Sequence, residues 1–338
     1  MILSGLCGCD RSRGRGYHGA TDGGTMKLYD YPDFSAANPW QHKTIDTAAP
    51  MPVVRSSQWP PPADCPLVHV GWEDWLMRGT RTETEADQRA GAILDSLDVC
   101  RRRGQRILWT VHNLTSHWLP WKAAEQRLRA GIGERAAVVF LMAEKHRPLV
   151  PFVPPDKIVV VPHYAEENRY VVHREAPTVR PRFFKYGAPR GGLADSVLQA
   201  ILNSPRFDKF VSDKRLSKEV VDDRNVMVKR RFTPEESLLY AALAHFTLFI
   251  RSPVLNSGVF TYCCASRLAV FHTADAVQHL DVPPGLDAWR IDPASFTIDQ
   301  IAHALATQRH ADANLTDWIA DRAPGRVSAA WWRAAGRP

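Results

Sequence analysis

The residues with chemical potential fall at the ends of apolar runs. Glu73 and Asp74 follow the run 67–70, His112 and Asn113 follow the run 106–111, and His163 follows the run 158–161. Asn38 and Trp72 stand at similar exits. Carboxylates and imidazoles are the side chains that take protons near neutral pH. A second set suits anions. The turn 187–192 holds Gly187, Arg190 and two further glycines, and a helical pattern follows. Asn256, Ser257 and Gly258 precede another helical pattern, with Arg251 upstream. Glycine lets a ligand approach the backbone closely, and a helix start offers unpaired amides to phosphate. Ser257 is also a fair N-cap, a structural role that needs no ligand. Two such loops in one half of the chain point to a common anion pocket.

The elements that must position these groups alternate. Strands are predicted at 27–31, 67–70, 106–111, 136–142 and 158–161, with helices at 83–103 and 121–132 between them. The strands at 106–111 and 136–142 are mainly apolar, as expected of a sheet covered on both faces. A second series begins with a strand at 182–186 and a helix at 194–203. It continues with strands at 225–229, 246–250 and 268–271 and helices at 234–244, 259–266 and 298–308. A final helix is expected over 313–335, with Trp331 and Trp332 packing onto a core. Ligands of open parallel sheets bind beyond the carboxyl ends of the strands, where the polar exits lie.

The 338 residues divide by pattern into four parts. Residues 1–25, rich in glycine and arginine, form a disordered extension, with Met26 as a candidate true start. A first domain spans 26–165, a second spans 166–312, and 313–338 is the closing helix. The chain is 45% hydrophobic, which excludes bulk disorder, and no apolar run reaches the ~18 residues of a membrane span. Six cysteines in a chain this long make no disulfide framework and no zinc pattern, so a reducing compartment is favoured. The net charge of +7 suits an anionic partner. No nucleic-acid motif accompanies it, so nucleic acid is not the expected partner.

Three stretches together resemble the GT-B glycosyltransferases, especially the xanthan-pathway β-mannosyltransferase type of exopolysaccharide assembly. They are Val68-His69-Val70-Gly71-Trp72-Glu73-Asp74-Trp75-Leu76, then Trp109-Thr110-Val111-His112-Asn113-Leu114-Thr115-Ser116-His117, then Asn256-Ser257-Gly258 with Arg267-Leu268-Ala269-Val270. Asn38-Pro39-Trp40 resembles that family's loop after its first strand. The match in order and spacing covers about 27–274. The resemblance implies an α/β protein with two Rossmann-like domains facing a cleft, the last helix crossing back to the first domain. It implies a nucleotide-sugar co-substrate, GDP-mannose or a UDP-sugar, and neither a bound metal nor another cofactor. The acceptor would be a polyprenyl-diphosphate-linked saccharide, met by a cytoplasmic protein on the inner membrane face. Arg101 to Arg103, Arg127 and Arg129 are the candidate contacts to anionic lipid.

Under this reading Asp74, Glu73 and His112, in that order, are candidates for the catalytic base. Gly187, Arg190, Arg251, Asn256, Ser257 and Gly258 would bind the donor. Asn38, Trp72, Asn113, His117 and His163 would bind acceptor or sugar hydroxyls. Residues 259–265 lack the carboxylate by which many retaining relatives hold the ribose, so an inverting transfer is expected. The related turn usually carries a lysine after its arginine, whereas Gly191-Gly192-Leu193 follow Arg190. That departure motivates the alternative of a non-catalytic protein of the same fold, binding a glycosyltransferase or a lipid-linked sugar.

Overall fold

The computed structural model describes residues 26–36, 38–116, 118–171, 180–186, 192–212, 220–222, 226–229, 232–250, 254–292, 295–307 and 312–336. Six strands make a first sheet: β1 (Leu28–Tyr31), β2 (Val53–Arg55), β3 (Leu67–Val70), β4 (Arg106–Thr110), β5 (Val138–Leu141) and β6 (Ile158–Val160). All neighbours are parallel, in the order β2-β1-β3-β4-β5-β6. Alternate residues of each strand enter opposite cores. Tyr29, Val68, Ile107, Trp109 and Val139 pack against the helices Glu83–Arg102 (α2) and Lys122–Arg135 (α3), which follow a short helix at Trp40–Thr44 (α1). Leu28, Leu67, Leu108, Val138 and Phe140 pack on the other face, against Val327, Trp331 and Trp332.

Local signals define these helices. Thr82 caps α2 by accepting from the Glu85 amide at 3.1 Å, and Gly104, at φ +77°, provides the left-handed residue just beyond its end. Gly131 lets α3 close on α2, since a Cβ there would stand 2.5 Å from Leu94 Cδ2.

A second sheet has the order β12-β11-β7-β8-β10-β9. Its strands are β7 (Arg182–Tyr186), β8 (Asp208–Ser212), β9 (Val220–Asp222), β10 (Val226–Lys229), β11 (Phe246–Phe249) and β12 (Ala269–His272). Only β9, on the edge, runs antiparallel. Phe184, Phe249 and Val270 face the helices Pro234–Leu243 and Gly258–Ala265. Phe183, Phe246 and Phe271 face Val197, Ile201, Ile301 and Leu305.

The chain end departs from the expected single helix. One helix, Asp312–Asp321, places Leu315, Trp318 and Ile319 in the second domain's core. A new one, Pro324–Ala335, begins at a proline that has no amide to continue the first. This second helix returns to the first sheet, where Trp331 stacks on Phe140 with centroids 4.9 Å apart. The tryptophans at 331 and 332 therefore pack a core, as expected. Beside this return, the Ala165 amide donates to the Arg322 carbonyl at 2.8 Å. Among the described residues no helix is long and apolar enough to cross a membrane.

Candidate functional site

The exits of β1, β3 and β4 are neighbours because those strands are neighbours. At the exit of β4, the His112 ring stacks flat on Trp72, with centroids 4.0 Å apart and planes 4° apart. Trp40 meets the same imidazole edge-on at 4.5 Å. His112 is 7% exposed, and its Nε2 has no hydrogen-bond partner among the described residues. Burial pushes its pKa well below 6.5, helped by the charges of His69 and His163. The ring is therefore neutral at pH 7, a hydrogen-bonding group of low basicity. Asn113 follows it, partly exposed. Asn38 accepts through Oδ1 from the Trp40 amide at 3.0 Å, so it sets the position of a ring against His112.

The two adjacent carboxylates have separate surroundings. Asp74 is half-buried and accepts from Ser116 Oγ at 2.8 Å. Glu73 turns into the core, 4% exposed. Its Oε1 pairs with Arg129 Nη1 at 2.8 Å, and its Oε2 accepts from Trp109 Nε1 at 3.2 Å. Burial raises the Glu73 pKa and the Arg129 charge opposes that shift. A proton acceptor must reach its substrate, so of these two candidates only Asp74, which is part-exposed, meets that requirement, while Glu73 is enclosed with Arg129. The same pair corrects the reading of Arg129, which is buried and unavailable to lipid. Arg127 is exposed and pairs with Asp87.

Beneath this edge lies a network that sequence reasoning missed. Asp30, wholly buried, accepts from His69 Nδ1 at 2.7 Å, Gln41 Nε2 at 2.9 Å and Arg55 Nε at 3.2 Å. His69 Nε2 meets Thr110 Oγ1 at 2.8 Å. A buried charge needs such partners. The visible signal was a histidine in the middle of a four-residue apolar strand.

The second domain supplies the facing loop. Ser257 caps the helix Gly258–Ala265, its Oγ accepting from the Phe260 amide at 3.2 Å. Asn256 reaches across to the first domain, donating through Nδ2 to His112 O at 2.9 Å and Val111 O at 3.3 Å. Gly258 sits against His163, and a Cβ added to it would lie 3.8 Å from His163 Nε2. Burial lowers the His163 pKa, against the pull of its Nδ1 bond to Tyr164 O at 2.9 Å. His163, Asn256, Ser257, Trp318 and Arg322 line a cavity of ≈ 10 Å³ at this junction, room for about one water. Arg322 lies 4.4 Å over Trp318 and pairs with Asp281.

The structure thus brings His112, Trp72, Asn256, Ser257, Gly258 and His163 together where the domains meet. Asp74 and Asn38 stand on the same edge of the first sheet, and Glu73 does not join them. Gly187, Arg190, Arg251 and His117 lie outside the described residues, as does the expected extension 1–25. Among the described residues no group of three or more His, Cys, Asp or Glu is placed to hold a metal ion.

No protein-family model matches the chain, and no curated protein matches its sequence. Solved structures match its fold. Anabaena Alr3699/HepE, in complex with UDP-glucose, aligns with a TM-score of 0.51 at 12% identity, over 93% of this chain and 95% of that one. The glycotransferase of kitacinnamycin aligns with a TM-score of 0.51 at 11% identity, over 92% of this chain and 99% of that one. At such identities the likeness is one of fold. It is the GT-B fold, two Rossmann-like domains, that the sequence resemblance implied.

Proposed function

We propose that this chain transfers a sugar from a nucleotide-sugar donor to a saccharide or lipid-linked acceptor, with inversion at the anomeric carbon. One observation carries the reading. The capped helix start of the second domain, at Ser257 and Gly258, lies against His163 and one hydrogen bond from His112 of the first. The first amides of a helix have no carbonyl partner within it, and they carry partial positive charge. They suit a departing diphosphate, which gains negative charge as its bond to the sugar breaks. Arg190 and Arg251 would add full charges.

Asp74 is the base. The acceptor oxygen forms its bond to the anomeric carbon, the bond from that carbon to the diphosphate oxygen breaks, and the acceptor proton goes to the Asp74 carboxylate. Ser116 fixes that carboxylate by donating to Oδ2. His112, Asn113 and His117 bind sugar hydroxyls, for which a neutral imidazole is well suited. The fold neighbour HepE holds UDP and UDP-glucose, which supports a UDP-sugar as the first donor to test. GDP-mannose, implied by the sequence resemblance, is the second. A polyprenyl-diphosphate-linked acceptor at the inner membrane face and a role in exopolysaccharide assembly complete the proposal.

Thermal shift with UDP, GDP and their sugars, followed by transfer assays with the responders, tests it. Stabilisation by one nucleotide class and sugar transfer from it are expected. No response to either nucleotide sinks the reading.

A further inference from the structure

We propose that Phe34, Trp75 and Trp118 form a carbohydrate-binding corner, the subsite that holds a pyranose ring of the acceptor. Its place in the reaction rests on the glycosyl-transfer reading, while its sugar binding does not.

The corner follows from topology. Phe34 lies in the exit of β1, Trp75 in the exit of β3 and Trp118 in the exit of β4, and these strands are adjacent in the sheet. Phe34 meets Trp75 edge-to-face, with centroids 4.9 Å apart and planes at 76°. Trp75 and Trp118 stand at 82° with centroids 6.5 Å apart. Trp118 is 44% exposed, a large apolar ring left in water beside the candidate base. Phe34 and Trp75 are partly buried beside it, so Trp118 supplies the exposed ring of a continuous aromatic cluster.

Polar groups are interleaved with the rings. Asp74 directly precedes Trp75, and Arg78 places its guanidinium 4.2 Å over the Trp75 ring. Ser116 ties the two loops together. Its Oγ donates to Asp74 at 2.8 Å and accepts from the Trp118 amide at 3.3 Å. The rings and the carboxylate are thereby held in one register.

The alternation identifies the ligand. A pyranose presents C–H groups on its faces and hydroxyls around its rim. The faces match aromatic rings, and the rim matches a carboxylate and a guanidinium. A hydrocarbon chain would need the rings and gain nothing from Asp74, whose desolvation it would have to bear. The surface therefore fits a sugar better than a lipid tail.

The test uses the full chain labelled with 5-fluorotryptophan, with the fluorine signals of residues 75 and 118 assigned from W75F and W118F. Titration with cellobiose should move both signals saturably and leave that of the buried Trp331 in place. W118A should weaken cellobiose binding roughly five- to tenfold, the worth of one aromatic contact, while W118F keeps most of it. Trp118 and Trp75 signals unmoved up to the solubility limit of cellobiose overturn the proposal. So does movement with phosphatidylglycerol vesicles but not with cellobiose, which would make the corner a lipid contact. A parallel UDP and GDP titration keeps the two ideas apart. Nucleotide response without cellobiose response removes only this subsite. Cellobiose response without nucleotide response keeps the sugar surface and removes the transfer reaction.

Discussion

Asn256 of the second domain donates to the backbone carbonyl of His112 in the first, 2.9 Å away, and the same amide lies 3.3 Å from Val111 O. One side chain thus joins the loop before the helix Gly258–Ala265 to the end of β4. Replacing it with alanine removes two bonds worth about 1 kcal/mol each. N256A should lower the transfer rate roughly tenfold and speed hydrogen exchange around residues 111–113. N256D should be worse, because a carboxylate would face two carbonyl oxygens. An aspartate variant as active as the native chain would show that the bond is idle.

Asp74 and its neighbour separate catalysis from folding. D74N keeps an oxygen for Ser116 Oγ but cannot take a proton. The expected loss in turnover is ~100- to 10,000-fold, with an unchanged melting temperature. Single-turnover transfer rates check this, and normal rates in D74N would place the base elsewhere.

Glu73 should behave in the opposite way. E73A leaves Arg129 buried without its close partner, and breaking a buried pair costs about 3–5 kcal/mol. Urea unfolding should report the loss directly. Activity should fall only as far as folding does, so per folded molecule the variant should remain competent.

Acid should destabilise the protein through its buried imidazoles. His112, His146 and His163 all have pKa values below the ordinary 6.5 because burial disfavours their charged form. As pH falls below that value the unfolded chain takes up protons that the folded chain excludes. Stability is therefore full above about 6.5 and is lost as the pH drops toward the folded pKa values. His112 and His163 can each contribute a slope of up to about 1.4 kcal/mol per pH unit. Melting temperatures between pH 8 and pH 5 should fall accordingly, and H112Q should fall less steeply. A flat profile would mean that these rings are charged in the fold.

Much of this architecture was legible in the sequence, for physical reasons that also mark where it stopped. The runs 67–70 and 106–110 read as strands because most of their residues are apolar, on both faces. Ser257 read as a cap because its type and place suffice. The strand Val53–Arg55 did not, since it is three residues long on a sheet edge and only partly buried. Asp208–Ser212 was also missed, because Asp208 and Lys209 put charges at the head of a strand that is nonetheless buried. Lys209 meets its need there by donating to Ser204 O at 2.7 Å. In the site, the sequence ranked Asp74 before Glu73 as a base but gave both the same kind of role. What divides them is Arg129, which comes from another element and could not be paired with Glu73 by spacing alone. The cross-domain reach of Asn256 was invisible for the same reason.

The main chain passes between the two halves twice, near Ala165 and near Arg322, and an amide-to-carbonyl bond laces these passages side by side. Two strands of a strap sewn together flex as one. Any swing of the halves would then turn about that seam, so the gap would widen most at the margin farthest from it, and a ligand could enter or depart there without either half losing its own packing.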